Sequence, residues 1–159
     1  MCIRDSSRSA LRIGDDFVLI ETDEGLANLL KTVRHIALVG ASHKPERPSY
    51  QVLEFLLKKG YRVTPVNPGL AGQFLQGQTV VGSLSDIDTP VDLVDVFRDG
   101  SVLPGLVDEA IAIGAPSLWT QLDVRHPEAE QKALDKGLTV VVDKCPAKEW
   151  PRLEACGLL

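Results

Sequence analysis

The stretch "IALVGASHKPERPS", Ile36 to Ser49, runs from an apolar segment into a glycine and then into a loop with two prolines and three potential cations, His43, Lys44 and Arg47. A short run that is apolar almost throughout reads as a strand covered on both faces, as in a parallel sheet. Pro48 suits the first turn of a following helix, where a missing N–H costs nothing. A strand, a glycine and a helix start in this order form a phosphate receptacle: the glycine lets a ligand approach the backbone, and the helix start offers free N–H groups at the positive end of its dipole.

The same alternation continues outward. Upstream, "TDEGLANLLKTVRH" reads as an introductory helix capped by Thr22 or Asp23, with Leu26, Leu29, Leu30 and Val33 on one face. Downstream, "PSYQVLEFLLKK" is a helix stopped by Gly60, with Val52, Phe55, Leu56 and the stem of Lys59 as its buried stripe. The strand "YRVTPV" follows, and its Pro65 requires either that the strand ends there or that it has a free side. "NPGLAGQFLQGQ" is glycine-rich loop with one short helical turn, leading to a short strand at "TVV". Strands at "VDLVDVF", "SLWTQL" and "LTVVVD" then alternate with helices at "VLPGLVDEAIAIG" and "HPEAEQKALDKG", before a helical tail around "AKEWPRLEACG". This pattern predicts an α/β, Rossmann-like, doubly wound and mainly parallel sheet of five to six strands flanked by helices.

Composition narrows the classes. A chain of 159 residues, 44% hydrophobic, supports one buried core. Residues 1–21 are set apart as a flexible or non-native leader, and residues 22–159 as one domain. Seventeen basic and 22 acidic residues give a net charge of −5 with no basic run, against nucleic acid or an anionic membrane as partner. Any anion site is therefore local. Cys2, Cys145 and Cys156 are odd in number and show neither a C-x-x-C pair nor zinc spacing, so no disulfide framework or metal site is suggested, and a cytoplasmic setting is expected.

In a doubly wound sheet the ligand lies beyond the carboxyl ends of the strands. The residues there are Gly40-Ala41-Ser42, Asn67-Pro68-Gly69, Phe97-Arg98, Gln121-Leu122-Asp123 and Asp143-Lys144-Cys145-Pro146. A nicotinamide dinucleotide would call for G-x-G-x-x-G and an acidic residue at the end of the second strand. This chain has Ser42 and Pro45 where the later glycines belong, and Asn67 where the acid belongs, which disfavours that cofactor. No P-loop is present either. What the loop offers is Gly40, the Ser42 hydroxyl and the helix start at Pro48 and Ser49, with Lys44, Arg47 and Arg98 as cations, enough to manage three phosphates.

The blocks "IALVGASHKPERPSYQV", "GYRVTPVNPGLAGQFLQGQTVVGSLSDI", "VDLVDVFR", "AIAIGAPSLWTQLDV" and "GLTVVVDKCP", in this order, resemble the stand-alone CoA-binding domain family, which is similar to the CoA-binding N-terminal domain of the succinyl-CoA synthetase alpha subunit. The resemblance spans about residues 22–150 and implies a Rossmann-like fold with coenzyme A or an acyl-CoA as ligand. It puts Gly40, Ala41 and Ser42 under the phosphates, with Arg47, Pro48 and Ser49 at the helix start. Val66, Asn67 and Pro68 fall near the adenosine, and Phe97 and Arg98 along the neighbouring crevice. Asp123 departs from the family's usual glycine, which adds bulk and negative charge near a strand end.

Catalysis is not expected. Related synthetases use a phosphorylated histidine from a second domain; here His35 and His126 read as element boundaries, and His43 as a neutral hydrogen-bonding group. Cys145, beside Lys144, is expected to pack as a buried thiol rather than to react. The alternatives are an NAD(P)-binding oxidoreductase-like domain, and an interaction protein or synthetase fragment that needs a partner chain. A homodimer fits the architecture, although no sequence feature marks one.

Overall fold

The computed structural model describes residues 11–13, 17–20 and 22–159. Five parallel strands form its centre in the order β4-β3-β7-β8-β9, where β3 is His35–Val39, β4 Arg62–Val66, β7 Leu93–Val96, β8 Ser117–Thr120 and β9 Thr139–Val141. The β9 edge is extended by β2 (Phe17–Leu19), which pairs in parallel, and then by β1 (Leu11–Ile13), which pairs antiparallel with β2. These two strands fall within the segment set apart as a leader. The rest of that segment, residues 1–10, 14–16 and 21, lies outside the described residues, and residue 20 follows β2.

Helices cover both faces. On one side α1 (Asp23–Thr32), α2 (Pro48–Lys58) and α5 (Pro146–Ala155) bury Leu26, Leu30, Leu53, Leu56 and Leu153 against Ile36, Leu38 and Trp119. On the other, α3 (Leu103–Ala112) and α4 (Pro127–Asp135) pack Leu103, Val107, Ala110 and Ala133 on Ala37, Val39, Val94 and Leu118. Adjacent residues of β3 thus face opposite cores, which is why the strand is apolar at nearly every position. Thr22 caps α1 by accepting the Gly25 N–H at 3.3 Å, and all four residues of the expected α1 stripe are buried. In α2 the stripe is centred differently: Leu53 is fully buried, and Phe55 is only partly so.

Pro65 sits in β4 because β4 is the last strand on that side. Its missing donor faces the outer edge, where a single parallel bridge, Val66 to Val81, replaces a full neighbour. The loop after β4 holds a 3-10 turn at Pro68–Leu70 and a two-stranded hairpin, β5 (Phe74–Leu75) with β6 (Gln78–Thr79).

Asp92 and Asp95, three positions apart in "VDLVDVF", hold separate partners and form no carboxylate pair. Asp92 Oδ2 accepts the N–H groups of Arg34 and His35, both at 2.9 Å, fastening the start of β3 to that of β7. His35 is a buried boundary residue, bonded through Nδ1 to the Pro90 carbonyl and through Nε2 to the Thr64 hydroxyl, each at 2.7 Å. His126 caps α4, its Nδ1 accepting the Ala129 N–H at 3.1 Å. Cys145 is a free thiol, whereas Cys156 is not free, which the odd count and spacing of the cysteines did not suggest.

Removing a carboxylate that satisfies two backbone donors leaves both without a partner. Asp92→Ala is therefore expected to lower unfolding stability by about 1–3 kcal/mol, read from the urea midpoint at unchanged m-value; a shift within error would show that water replaces the carboxylate.

Candidate functional site

The chain leaves β3 through α2 to β4 on one side, then returns to place β7 on the other, so the strand order reverses between β3 and β7. The connecting helices α2 and α3 lie on opposite faces, and a crevice opens at the carboxyl ends of the strands, with residues of α2 and α5 in its lining. It is a cleft of about 1060 Å³, large for a small-molecule site. One wall is formed by Gly40, Ala41 and Ser42 with the start of α2, a second by Asn67 to Gly69, and a third by Phe97 and Arg98. The far end is closed by Gln121 to Val124, Cys145, Ala147 and Lys148.

Ten of the twelve residues assigned to the site from sequence line this cleft: Gly40, Ala41, Ser42, Arg47, Pro48, Ser49, Asn67, Pro68, Phe97 and Arg98. Lys44 and Val66 do not. Lys44 is exposed on the outer side of the loop, its N–H donating to Ser42 Oγ at 3.1 Å. The Val66 side chain is buried in the opposite core, and its contribution is a backbone one. Its carbonyl accepts the N–H groups of Gly40 at 3.0 Å and Ala41 at 3.2 Å. Those two donors are therefore occupied within the protein. The N–H groups of Ser42 and Ser49, both in the cleft lining, donate to no protein acceptor among the described residues, which leaves them for an anion.

Gly40 has φ +91, and a Cβ there would lie 2.8 Å from the Phe97 carbonyl oxygen and 3.1 Å from Cδ of Arg98. The glycine thus lets the β3 turn close against the end of β7, which brings the Arg98 stem over it. Asn67 holds the turn from the other side. Its Nδ2 donates to the Ala41 carbonyl at 2.7 Å, and its Oδ1 accepts the Gly69 N–H at 2.8 Å. Both ends of the amide are used internally, and no carboxylate stands where a dinucleotide ribose would be held.

Helix α2 begins at Arg47 without a side-chain cap. An uncapped helix of 11 residues directs a positive partial charge into the cleft. Arg47 and Arg98 have no carboxylate partner among the described residues, and Lys148 adds a third cation at the rim. The opposing charge is Asp123, which stands at φ +67, backbone that glycine would adopt without strain. Asp143 Oδ1 accepts its N–H at 2.7 Å, which holds the turn.

Below the far end lies Asp95, wholly buried in β7. Its Oδ1 accepts from Gln121 Nε2 at 2.7 Å, while Oδ2 has no partner. Burial without a counter-charge pushes its carboxyl up from the ordinary 3.8 to about 7, with the Gln121 hydrogen bond opposing the rise. Sequence reasoning placed Gln121 and Cys145 at strand ends but did not join them to the site. The strand-end position was the signal, and Asp95 gave none, since an aspartate inside an apolar strand shows neither its burial nor its partner.

Fold and cleft together define a Rossmann-like α/β domain with a ligand crevice at its topological switch point. The CoA binding domain family matches residues 34–151, and the chain belongs to that family. The uncharacterized protein YneT of Bacillus subtilis is 38% identical over 120 residues, covering 76% of this chain and 87% of that protein. Among solved structures, the Thermus thermophilus protein designated cell-free ID.343 superposes with a TM-score of 0.80 at 40% identity, over 84% of this chain and 99% of that one. A hypothetical protein of Pyrococcus horikoshii OT3 gives a TM-score of 0.80 at 37% identity, over 84% and 93% of the two chains.

Two predictions follow from this geometry. Gly40→Ala would force a side chain into left-handed backbone and against the Phe97 carbonyl, at a cost of about 1–3 kcal/mol; an unchanged denaturation midpoint would mean that β3 and β7 can part there freely. For Asp95, the folded protein keeps its proton up to about pH 7, whereas the unfolded chain releases it near pH 4. The contribution of Asp95 to stability therefore falls as pH rises from about 4 to 7, and levels off above. Asp95→Asn removes that loss, so its stability relative to wild type should climb across this window by up to about 4 kcal/mol, measured by urea denaturation at pH 4.5 and 8. A difference independent of pH would place the carboxyl's titration elsewhere.

Proposed function

We propose that this protein binds coenzyme A or an acyl-CoA in the switch-point cleft and acts in the cytoplasm as a carrier or sensor of the ligand rather than as a catalyst. The observation that carries the reading is the uncapped start of α2 facing the cleft between Arg47 and Arg98, in a chain of the CoA binding domain family. Every residue lining the cleft falls within the matched segment 34–151.

The phosphates are taken up by the free N–H groups of Ser42 and Ser49, with the Arg47 and Arg98 guanidiniums in charge-assisted bonds. The adenosine lies toward Asn67, Pro68 and Gly69, over the β4 side of the crevice, as in other doubly wound folds. No residue is assigned to turnover. Cys145 lines the cleft as a largely buried thiol, and none of the three histidines shares that lining, which supports recognition rather than nucleophilic or phosphotransfer chemistry.

Calorimetric titration of the ligand-stripped protein tests this. CoA should bind at micromolar concentration or tighter, and NADPH much more weakly. Arg47→Ala and Arg98→Ala should each weaken CoA binding by about 1.5–3 kcal/mol. The variant that has lost its contact to the 3′-phosphate should no longer distinguish CoA from dephospho-CoA. NADPH preferred over CoA would overturn the reading in favour of an oxidoreductase-like domain; wild-type affinity in both arginine variants would remove those residues from the site.

A further inference from the structure

The phosphate end of the cleft is built from the termini of β3, β4, β7 and α2, which leaves the wall after β8 and β9 without an assigned partner. We propose that Gln121 is the anchor for an amide-bearing arm of the ligand, its Oε1 accepting an amide N–H, and that Asp95 is the positioning residue that turns Gln121 to do so. This rests on the CoA reading and names the group that meets the pantetheine portion.

Gln121 is 6% exposed, yet it lines the cleft. Its Nε2 is committed to Asp95, while Oε1 accepts from no protein group among the described residues and is not among the sealed, unpartnered buried atoms. The open side of the carbonyl therefore faces the cleft. A nearly buried acceptor of this kind is costly unless a donor reaches it, and the donor has to come from what fills the cleft. The observed bond fixes the polarity: Oδ1 of Asp95 accepts from Nε2 whether or not the sealed Oδ2 carries the proton, so Asp95 draws the NH₂ of Gln121 inward and turns the carbonyl outward. The Gln121 bond in turn favours the ionised form of Asp95.

Asp95 itself is out of the ligand's reach, since its free oxygen is sealed. In the strand register it stands between Leu38 and Trp119, where an apolar side chain would fill the same row. A carboxyl at that point burdens the fold, and orienting Gln121 gives it a use. Reach also agrees. β8 lies two strands from β3, about 10 Å at the usual strand spacing, so an arm leaving phosphates at the start of α2 away from β4 crosses Arg98 and arrives at Gln121. Pantetheine carries two amide N–H groups along such an arm, and its thiol or acyl end would then lie toward Cys145 and Ala147.

The test compares two probes by calorimetry: CoA, and adenosine 3′,5′-bisphosphate, which keeps the nucleotide and lacks the arm. Gln121→Leu, with Gln121→Met as a second variant should the first fold poorly, is expected to weaken CoA about tenfold and to leave the bisphosphate within about twofold. Asp95→Leu should show the same split, although its carboxyl never touches the ligand. Asp95→Asn, which keeps an acceptor for Nε2, should restore CoA binding to within about threefold. Unchanged CoA affinity in the Gln121 variants, or equal losses for both probes, overturns the proposal and leaves the CoA reading standing. A wild-type protein that binds neither probe overturns the CoA reading and the proposal with it.

Discussion

The carbonyl oxygen of Val66, at the end of β4, accepts the N–H groups of both Gly40 and Ala41, and the arrangement of the cleft follows from that one acceptor. A strand that ended freely would leave its first turn to wander. Here the turn is drawn sideways onto β4, and Asn67 repeats the tie through the Ala41 carbonyl. With the backbone pinned on one side, it can close against Phe97 on the other only if position 40 lacks a Cβ. The glycine, often read as a seat for phosphate, is in this chain first a joint between three strands. Its free energy of placement is spent before any ligand arrives, which is the condition for pre-organised binding.

Around this joint the molecule accepts several local costs. An uncapped helix start, two arginines without carboxylate partners, Asp123 in left-handed backbone and Asp95 with one bare oxygen all lie in or directly beneath the same crevice. Away from the crevice, α1 and α4 are capped by Thr22 and His126, and the boundary histidine His35 has both ring nitrogens bonded. Several such costs gathered around one crevice are how a binding site looks before it is filled.

Much of this was legible in the residues. The apolar run of β3, the proline at the start of α2 and the alternation of short strands with helix-period segments led to the doubly wound sheet, and the strand-end rule led to most of the cleft lining. Pro65 called for either a strand end or a free side, and the position of β4 at the edge of the sheet is the second of these. What escaped was whatever depends on which atom meets which. Val66 was placed near the adenosine, but it acts through its carbonyl while its side chain faces the other core. Lys44 was grouped with Arg47 by proximity in sequence, yet the tight turn at Ser42 sends it outward. Gln121 and Asp95 are 26 positions apart, and only the register of β7 with β8 makes them neighbours.

The outer margin of β4 has a consequence for the protein among its own copies. An open sheet ends in a row of unused donors and acceptors, and such rows are where folded chains find one another and stack. At this margin Pro65 supplies no donor, and the loop that returns through Val81 occupies the next acceptor and donor, taking the Val81 N–H onto the Pro65 carbonyl and giving the Asn67 N–H to the Val81 carbonyl. The hairpin loop thus serves as a selvedge: it finishes the fabric on the side nearest the crevice, so crowding can bring two such domains together there without weaving them into one sheet.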